Sequence, residues 1–211
     1  MLVAAATLNG LRRCPHCSIA SPRLYKAWSS QQQTSRTDGG AGLFWAAYLC
    51  SSCGSLVSTA SERNPISVGG ALVAKCFPSA KTAHEDIPDP ARKFLQQAFD
   101  TIHAPDAAAV MAGSAVDAML KAHGLVKGSL YSRIDKALED NLLTKGMADW
   151  AHEVRLGSNR PRHSDEDKPH VSPEEAKQSV EFAEALGQFL FVLTARIERG
   201  TKAAKEASVF D

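Results

Sequence analysis

The sequence predicts an α+β protein, in which a small β module carrying four paired cysteines precedes an all-α bundle. Three observations predict it. Cys14-Pro15-His16-Cys17 and Cys50-Ser51-Ser52-Cys53 repeat one Cys-x-x-Cys spacing. Aromatic and aliphatic runs of strand length occupy residues 11–79. Beyond Pro90 the apolar residues return at intervals of three and four, the period of helices packed on one side.

The cysteines come first because only their spacing dictates a chemistry. A Cys-x-x-Cys turn aims two thiolates at one metal, so Cys14, Cys17, Cys50 and Cys53 together supply the four ligands of a tetrahedral, structural zinc ion. Gly54, directly after the second turn, accepts the positive φ that such a turn requires. Four cysteines leave no position for substrate water, which makes the metal a scaffold and sends the search for chemistry elsewhere. Cys76 is left over and reads as a buried strand thiol.

Around these turns, Arg23–Trp28, Leu43–Leu49 and Ala71–Phe77 read as three strands, with residues 29–42, rich in Gln, Ser, Thr and Gly, as a long hairpin tip. So small a sheet depends on its metal. Trp28, Phe44, Trp45 and Tyr48 either fill its core or stack on nucleic-acid bases. Residues 1–79 form this module and residues 80–90, with Pro88 and Pro90, the linker.

Residues 91–199 form the bundle. Pro90 suits the first turn of a helix to about His103, and Asp106 opens an alanine-rich helix ended by Gly124. Tyr131–Leu142 and Thr144–Leu156 give two shorter helices. The longest starts at Ser172 as N-cap, with Pro173 in the first helical position and Glu174 and Glu175 in the first turn. Its stripe of Phe182, Leu186, Phe189, Leu193 and Ile197 is expected in the core, and residues 200–211 form a tail.

Charge divides unevenly: residues 1–63 carry a net +4 and the remaining 148 a net −3, which leaves a modest basic surface on the module. No run of 18 apolar residues exists, and Arg12 and Arg13 follow rather than precede the short apolar Leu2–Leu8 stretch, which excludes a membrane span or signal peptide and predicts a cytoplasmic protein.

One stretch has residues suited to catalysis. Glu153–His163 crowds Arg155, Asn159, Arg160, Arg162 and His163 at a helix end and its loop. Arginine forks fit phosphate oxygens, and histidine moves protons near neutral pH. Together such groups could attack RNA through its own 2′-OH, His163 moving protons and an arginine steadying the phosphorane charge, with Arg160 and Arg162 as candidate nucleic-acid contacts. The alternative is a solvated loop in which Arg160 and Arg162 pair with Asp165, Glu166 and Asp167.

The order of cysteine turns, an Ile87-Pro88 linker, a bundle, and an Arg-x-x-x-Asn-x-x-x-His segment before a long last helix resembles the bacterial domain-of-unknown-function family forty-one forty-five, over about Ala91–Arg199. That family is HEPN-like and often attached to restriction-type subunits. Arg155, Asn159 and His163 fall on its arginine, asparagine and histidine, while Ser158 replaces a glycine. Gly113 and Asp117 stand near an Arg-x-x-x-Glu-like pair and lack its arginine. The resemblance implies a HEPN-like bundle behind a zinc ribbon, a homodimer with a composite site, and metal-independent endoribonuclease activity in bacterial or phage conflict. Set against this is a non-catalytic adaptor that binds a protein partner in a restriction or defence-type complex.

Overall fold

Alternating burial along β4 (Phe44–Cys50) sets the first unit: Ala46, Tyr48 and Cys50 are buried, while Trp45, Ala47 and Leu49 lie on the other face. The structure, a computed structural model, describes residues 1–66, 69–162 and 167–207, and the chain divides into two units, Met1–Lys81 and Thr82–Asp211. In the first, β1 (Val3–Ala4), β2 (Leu8–Asn9), β3 (Leu24–Ser29), β4, β5 (Leu56–Ser61) and β6 (Ala71–Phe77) form an antiparallel sheet in the order β2-β1-β6-β5-β4-β3.

The sheet nearly closes into a barrel. Lys26 N–H donates to the Ala6 carbonyl at 3.1 Å, and Thr7 bridges Tyr25, so the chain beside β2 meets β3 at the far end of the strand order. Inside lie Ala4, Leu8, Leu24, Ala46, Tyr48 and Val57, together with Cys14 and Cys50. Tyr48 is wholly buried, and its hydroxyl donates to the Ala5 carbonyl at 3.1 Å. Residues 31–41 of the hairpin tip are exposed. The sequence shows three strands, and six exist among the described residues. The N-terminal pair is too short to show an alternation, and β5 reads Leu-Val-Ser-Thr-Ala-Ser, whose small polar residues mask its buried Val57 and Thr59.

The second unit comprises α1 (Ala91–Asp100), α2 (Pro105–Ala122), α3 (Leu130–Glu139), α4 (Lys145–Asn159), a 3-10 turn (Arg160–Arg162), α5 (Pro173–Gly187), a π-helical segment (Gln188–Leu193) and α6 (Thr194–Ala207). Side-chain caps start three helices: Ser129 accepts from Ser132 N–H, Thr144 from Met147 N–H, and Ser172 forms a reciprocal capping box with Glu175. Pro90 directly precedes α1 rather than lying in its first turn, and α6 continues to Ala207, well past Arg199.

α2 is the hub. Its Ala108, Ala109, Ala112 and Ala115 have no exposed surface, and α1, α4 and α5 all pack on it. Gly113 is required at the α4 contact, because a Cβ there would stand 2.5 Å from Ser158 Oγ.

The last stripe divides. Phe182 and Leu186 are buried as expected, but the π segment adds an extra residue to its turn and rotates the helix beyond it. Leu190 and Val192 turn inward instead, and Phe189, Leu193 and Ile197 stand 44, 49 and 59% exposed.

Gly113→Ala should lower stability by about 1–3 kcal/mol through overpacking. Adding Ser158→Gly should recover part of the loss, despite glycine's helical cost, and a double-mutant cycle by urea denaturation measures that coupling. Strict additivity would mean that the two residues do not press on one another.

Candidate functional site

Two places concentrate chemistry, one in each unit. In the first, the two cysteine turns have one backbone design. Cys14 N–H donates to Ile19 O (3.1 Å) and Ser18 N–H to Cys14 O (2.9 Å); Cys50 N–H donates to Ser55 O (3.0 Å) and Gly54 N–H to Cys50 O (2.9 Å). The residue four places after each leading cysteine takes the left-handed conformation, φ +69° at Gly54 and +55° at Ser18, so the first turn holds in a serine the strain that the glycine of the second avoids.

The turns bring the Sγ atoms of Cys14, Cys17, Cys50 and Cys53 all within 4.8 Å of one another, with Cys14 and Cys53 at 3.9 Å. A tetrahedral thiolate site with metal–sulfur bonds of about 2.3 Å has edges of about 3.8 Å, so the donor set fits a metal ion. His16, inside the first turn, is engaged elsewhere: its Nε2 donates to the Leu56 carbonyl at 2.8 Å, tying that turn to β5. Burial pushes the Cys14 thiol up and takes Cys17 to about 12. At Cys53 burial acts the same way, but hydrogen bonds to Ser55 and the neighbouring thiols bring it down to about 6. Cys76 is half-buried on β6 against the inner cluster, and burial raises its thiol.

In the helical unit, α2, α3 and α4 border a cleft of about 800 Å³. The fold brings Arg155, Asn159 and Arg162 to it, as the spacing on α4 and its terminal 3-10 turn would suggest. His163 lies outside the described residues. Arg160 is directed away: its guanidinium bonds Glu175 Oε1 at 2.8 Å, an oxygen shared with Lys168 at 2.9 Å. Arg160 first, then the Ser172 N–H, hold the Glu175 carboxyl far below the usual carboxylate range. Asp167 makes no pair with Arg160 or Arg162, and the other two acids of the solvated-loop alternative, Asp165 and Glu166, lie outside the described residues.

Arg155 stands apart electrostatically. Its guanidinium has no carboxylate among the described residues; it lies 5.3 Å from the centre of the Tyr131 ring, and its buried Nε has no hydrogen-bond partner. Tyr131 also meets His152 at 4.8 Å, whose Nε2 bonds Asp135 at 3.1 Å. Opposite, Arg133 is nearly buried, bonding Asp117 at 2.6 Å and the Val126 carbonyl at 3.3 Å, while Lys121 takes the other Asp117 oxygen at 2.6 Å. Ser114 and Ser129 complete the polar wall.

Arg133 was missed by sequence reasoning. It shares a helix face with Leu130, Ile134 and Ala137, and a charge in phase with apolar residues is the signal that marks it. It brings a further guanidinium to the cleft, from α3.

The profile of the family described as "Domain of unknown function (DUF4145)" matches residues 93–205, a little over half of the chain and most of the helical unit. The chain belongs to this family. No curated protein and no solved structure matches it.

Because metal binds thiolate, and Cys14 and Cys17 are held protonated at neutral pH, metal uptake must displace their protons. Zn²⁺ affinity of the metal-free protein should therefore rise with pH and fall on acidification from 8 to 6, with proton release visible in a weakly buffered titration. An affinity flat over that range would contradict the thiol assignment.

Proposed function

We propose that the chain is a zinc-ribbon, HEPN-like RNA-binding protein, whose α2–α3–α4 cleft takes the phosphodiester backbone. Arg155 carries the reading. A guanidinium with no carboxylate among the described residues, laid on a ring beside a cleft, is held ready for an external anion, and the planar fork matches two phosphate oxygens. Arg133, Arg162 and Lys121 support it against Asp89 and Asp117, so cations outnumber carboxylates along the wall.

Cleavage in such a cleft follows from the groups that the sequence supplies. The ribose 2′-oxygen attacks the adjacent phosphorus as its proton leaves, the bond to the 5′-oxygen breaks, and that oxygen is protonated. His163, four residues beyond Asn159, is the proposed proton carrier, and Arg155 stabilises the charge that develops on the phosphorane. The four thiolates hold zinc in a structural role, outside this reaction.

The exposed Phe189, Leu193 and Ile197 favour association through the π-helical segment and α6, and we assign that stripe to a second copy of the chain. The same stripe is what favours the second reading, a non-catalytic adaptor that presents it to a different protein. A role in bacterial or phage conflict rests on the family resemblance alone.

Purified protein incubated with single-stranded and structured RNA in excess EDTA should cleave it. Arg155→Ala and His163→Ala should each lower the rate by at least 100-fold, consistent in order of magnitude with loss of a proton carrier or charge stabiliser. Equal cleavage by wild type and His163→Ala would assign the activity to another site. No cleavage and no binding of any RNA, with partner capture unchanged in both variants, would favour the adaptor.

Metal analysis should find one zinc per chain, lost in Cys14→Ser, which exposes residues 1–81 to protease while the bundle stays helical by circular dichroism. Light scattering should give a dimer that Leu193→Glu dissociates. A wild-type mass of 22.6 kDa would remove both the dimer and any composite site.

A further inference from the structure

The first unit turns an aromatic surface outward, and we propose that this surface binds single-stranded nucleic acid by stacking its bases. The inference does not depend on the cleft of the helical unit. Strand register defines the surface. Trp28, Ala47, Ser58 and Phe77 lie abreast, one on each of β3, β4, β5 and β6. Beside them run a row of Trp45, Ala60 and Lys75 and another of Tyr25, Leu49 and Leu56. The central row thus has a large ring at each end and two small side chains between. Three strand spacings separate the rings by about 14 Å, room for bases to lie on the floor of Ala47 and Ser58.

These rings are not core. The inner faces of the same strands are filled by Leu24, Ala46, Tyr48 and Val57, whereas Trp28 and Phe77 are 57 and 50% exposed. Phe77 is also braced: Trp45 stacks on it with centroids 6.3 Å apart and planes 22° apart. The bulge between Lys26 and Trp28 carries Trp28 onto the outer row, opposite Ala47.

Charge selects the partner. Residues 1–81 hold eight lysines and arginines against Asp38 and Glu62, and Asp38 is already tied to Arg36. Lys75 stands within the surface, and the Arg23 guanidinium lies 5.2 Å over the Tyr25 ring at its border. An apolar protein partner would use the rings and leave this charge unanswered. A polyanion with flat, unpaired bases answers both, and a duplex, whose bases are already stacked, does not.

The test uses the full-length chain carrying Arg155→Ala, so that the cleft is disabled, and fluorescein-labelled dT12, which has no 2′-OH and cannot be cleaved through one. Anisotropy at 50 and 200 mM salt should show binding that weakens with salt, and a 12-base-pair duplex should bind at least 10-fold more weakly. Trp28→Ala and Phe77→Ala should each cost about 5-fold or more, in line with the loss of one stacked base. Trp28→Phe should restore binding, and Lys75→Glu should weaken it and flatten the salt dependence. Circular dichroism and zinc content monitor the fold. The proposal is overturned by no binding of dT12, by unchanged affinity in folded Trp28→Ala and Phe77→Ala, or by equal affinity for the duplex. If wild type binds RNA while the Arg155→Ala chain does not bind dT12, the cleft stands and the sheet surface falls.

Discussion

The run of small residues from Ala108 to Ala115 that α2 turns to its neighbours is the constraint on which the helical unit depends. Where Ala108, Ala109, Ala112 and Ala115 face their neighbours, nothing longer than a methyl group holds the helices apart, and at Gly113 even that is missing. Ser158 occupies the space. Because Ser158 lies between Arg155 and Asn159 on α4, its seat against Gly113 sets where both reach the cleft, opposite Asp117 and Lys121 one turn and two turns further along α2. Packing thus decides the electrostatics. Gly113 and Ser158 are thus one steric pair, the missing side chain on α2 making room for the serine of α4.

The cleft's cations are then sorted by what balances them. Arg133 is nearly buried, which is tolerable only with Asp117 at 2.6 Å and a backbone carbonyl as acceptors; without them a desolvated charge would remain. Lys121 shares the same carboxylate. Arg160 is committed to Glu175, where it reinforces the capping box that starts α5. Arg155 alone of these has a ring for a partner. A cation–π contact leaves the charge unneutralised, so an anion that enters the cleft need not displace a carboxylate to reach it.

Much of this was legible in sequence, for local reasons. Cys-x-x-Cys spacing, the Ser172 N-cap and the glycines at 54 and 124 are rules that act within a few residues, and each appears where its pattern predicts. The class, a β module before a helical bundle, follows from period alone. What failed was non-local or broke a period. β1 and β2 are set by distant pairing, β1 on β6 and β2 on β1, with Thr7 bridging to Tyr25 of β3. The π segment changes the helical phase after Gly187, and the apolar sequence Gln-Phe-Leu-Phe-Val-Leu is compatible with either phase, so no residue there announces which side faces in. Arg133 and Tyr131 enter the site from a different helix than the motif, and only tertiary packing brings them to it. His152 likewise reaches Arg155 through the Tyr131 ring.

The first unit has a different logic, which explains how it can leave aromatic rings outside. A sheet this small would ordinarily need its large apolar side chains within. Here the thiols substitute for them: Cys14 and Cys50 are themselves core residues, beside Leu24 and Tyr48, and the four sulfurs join the segment after β2 to the turn between β4 and β5. With the strand ends tied and β1 and β2 nearly closing the sheet, the interior is satisfied by alanine, valine, leucine and one tyrosine. Trp28, Trp45 and Phe77 are then released from packing the core, and their presence on the outer rows has to be explained by what they meet there.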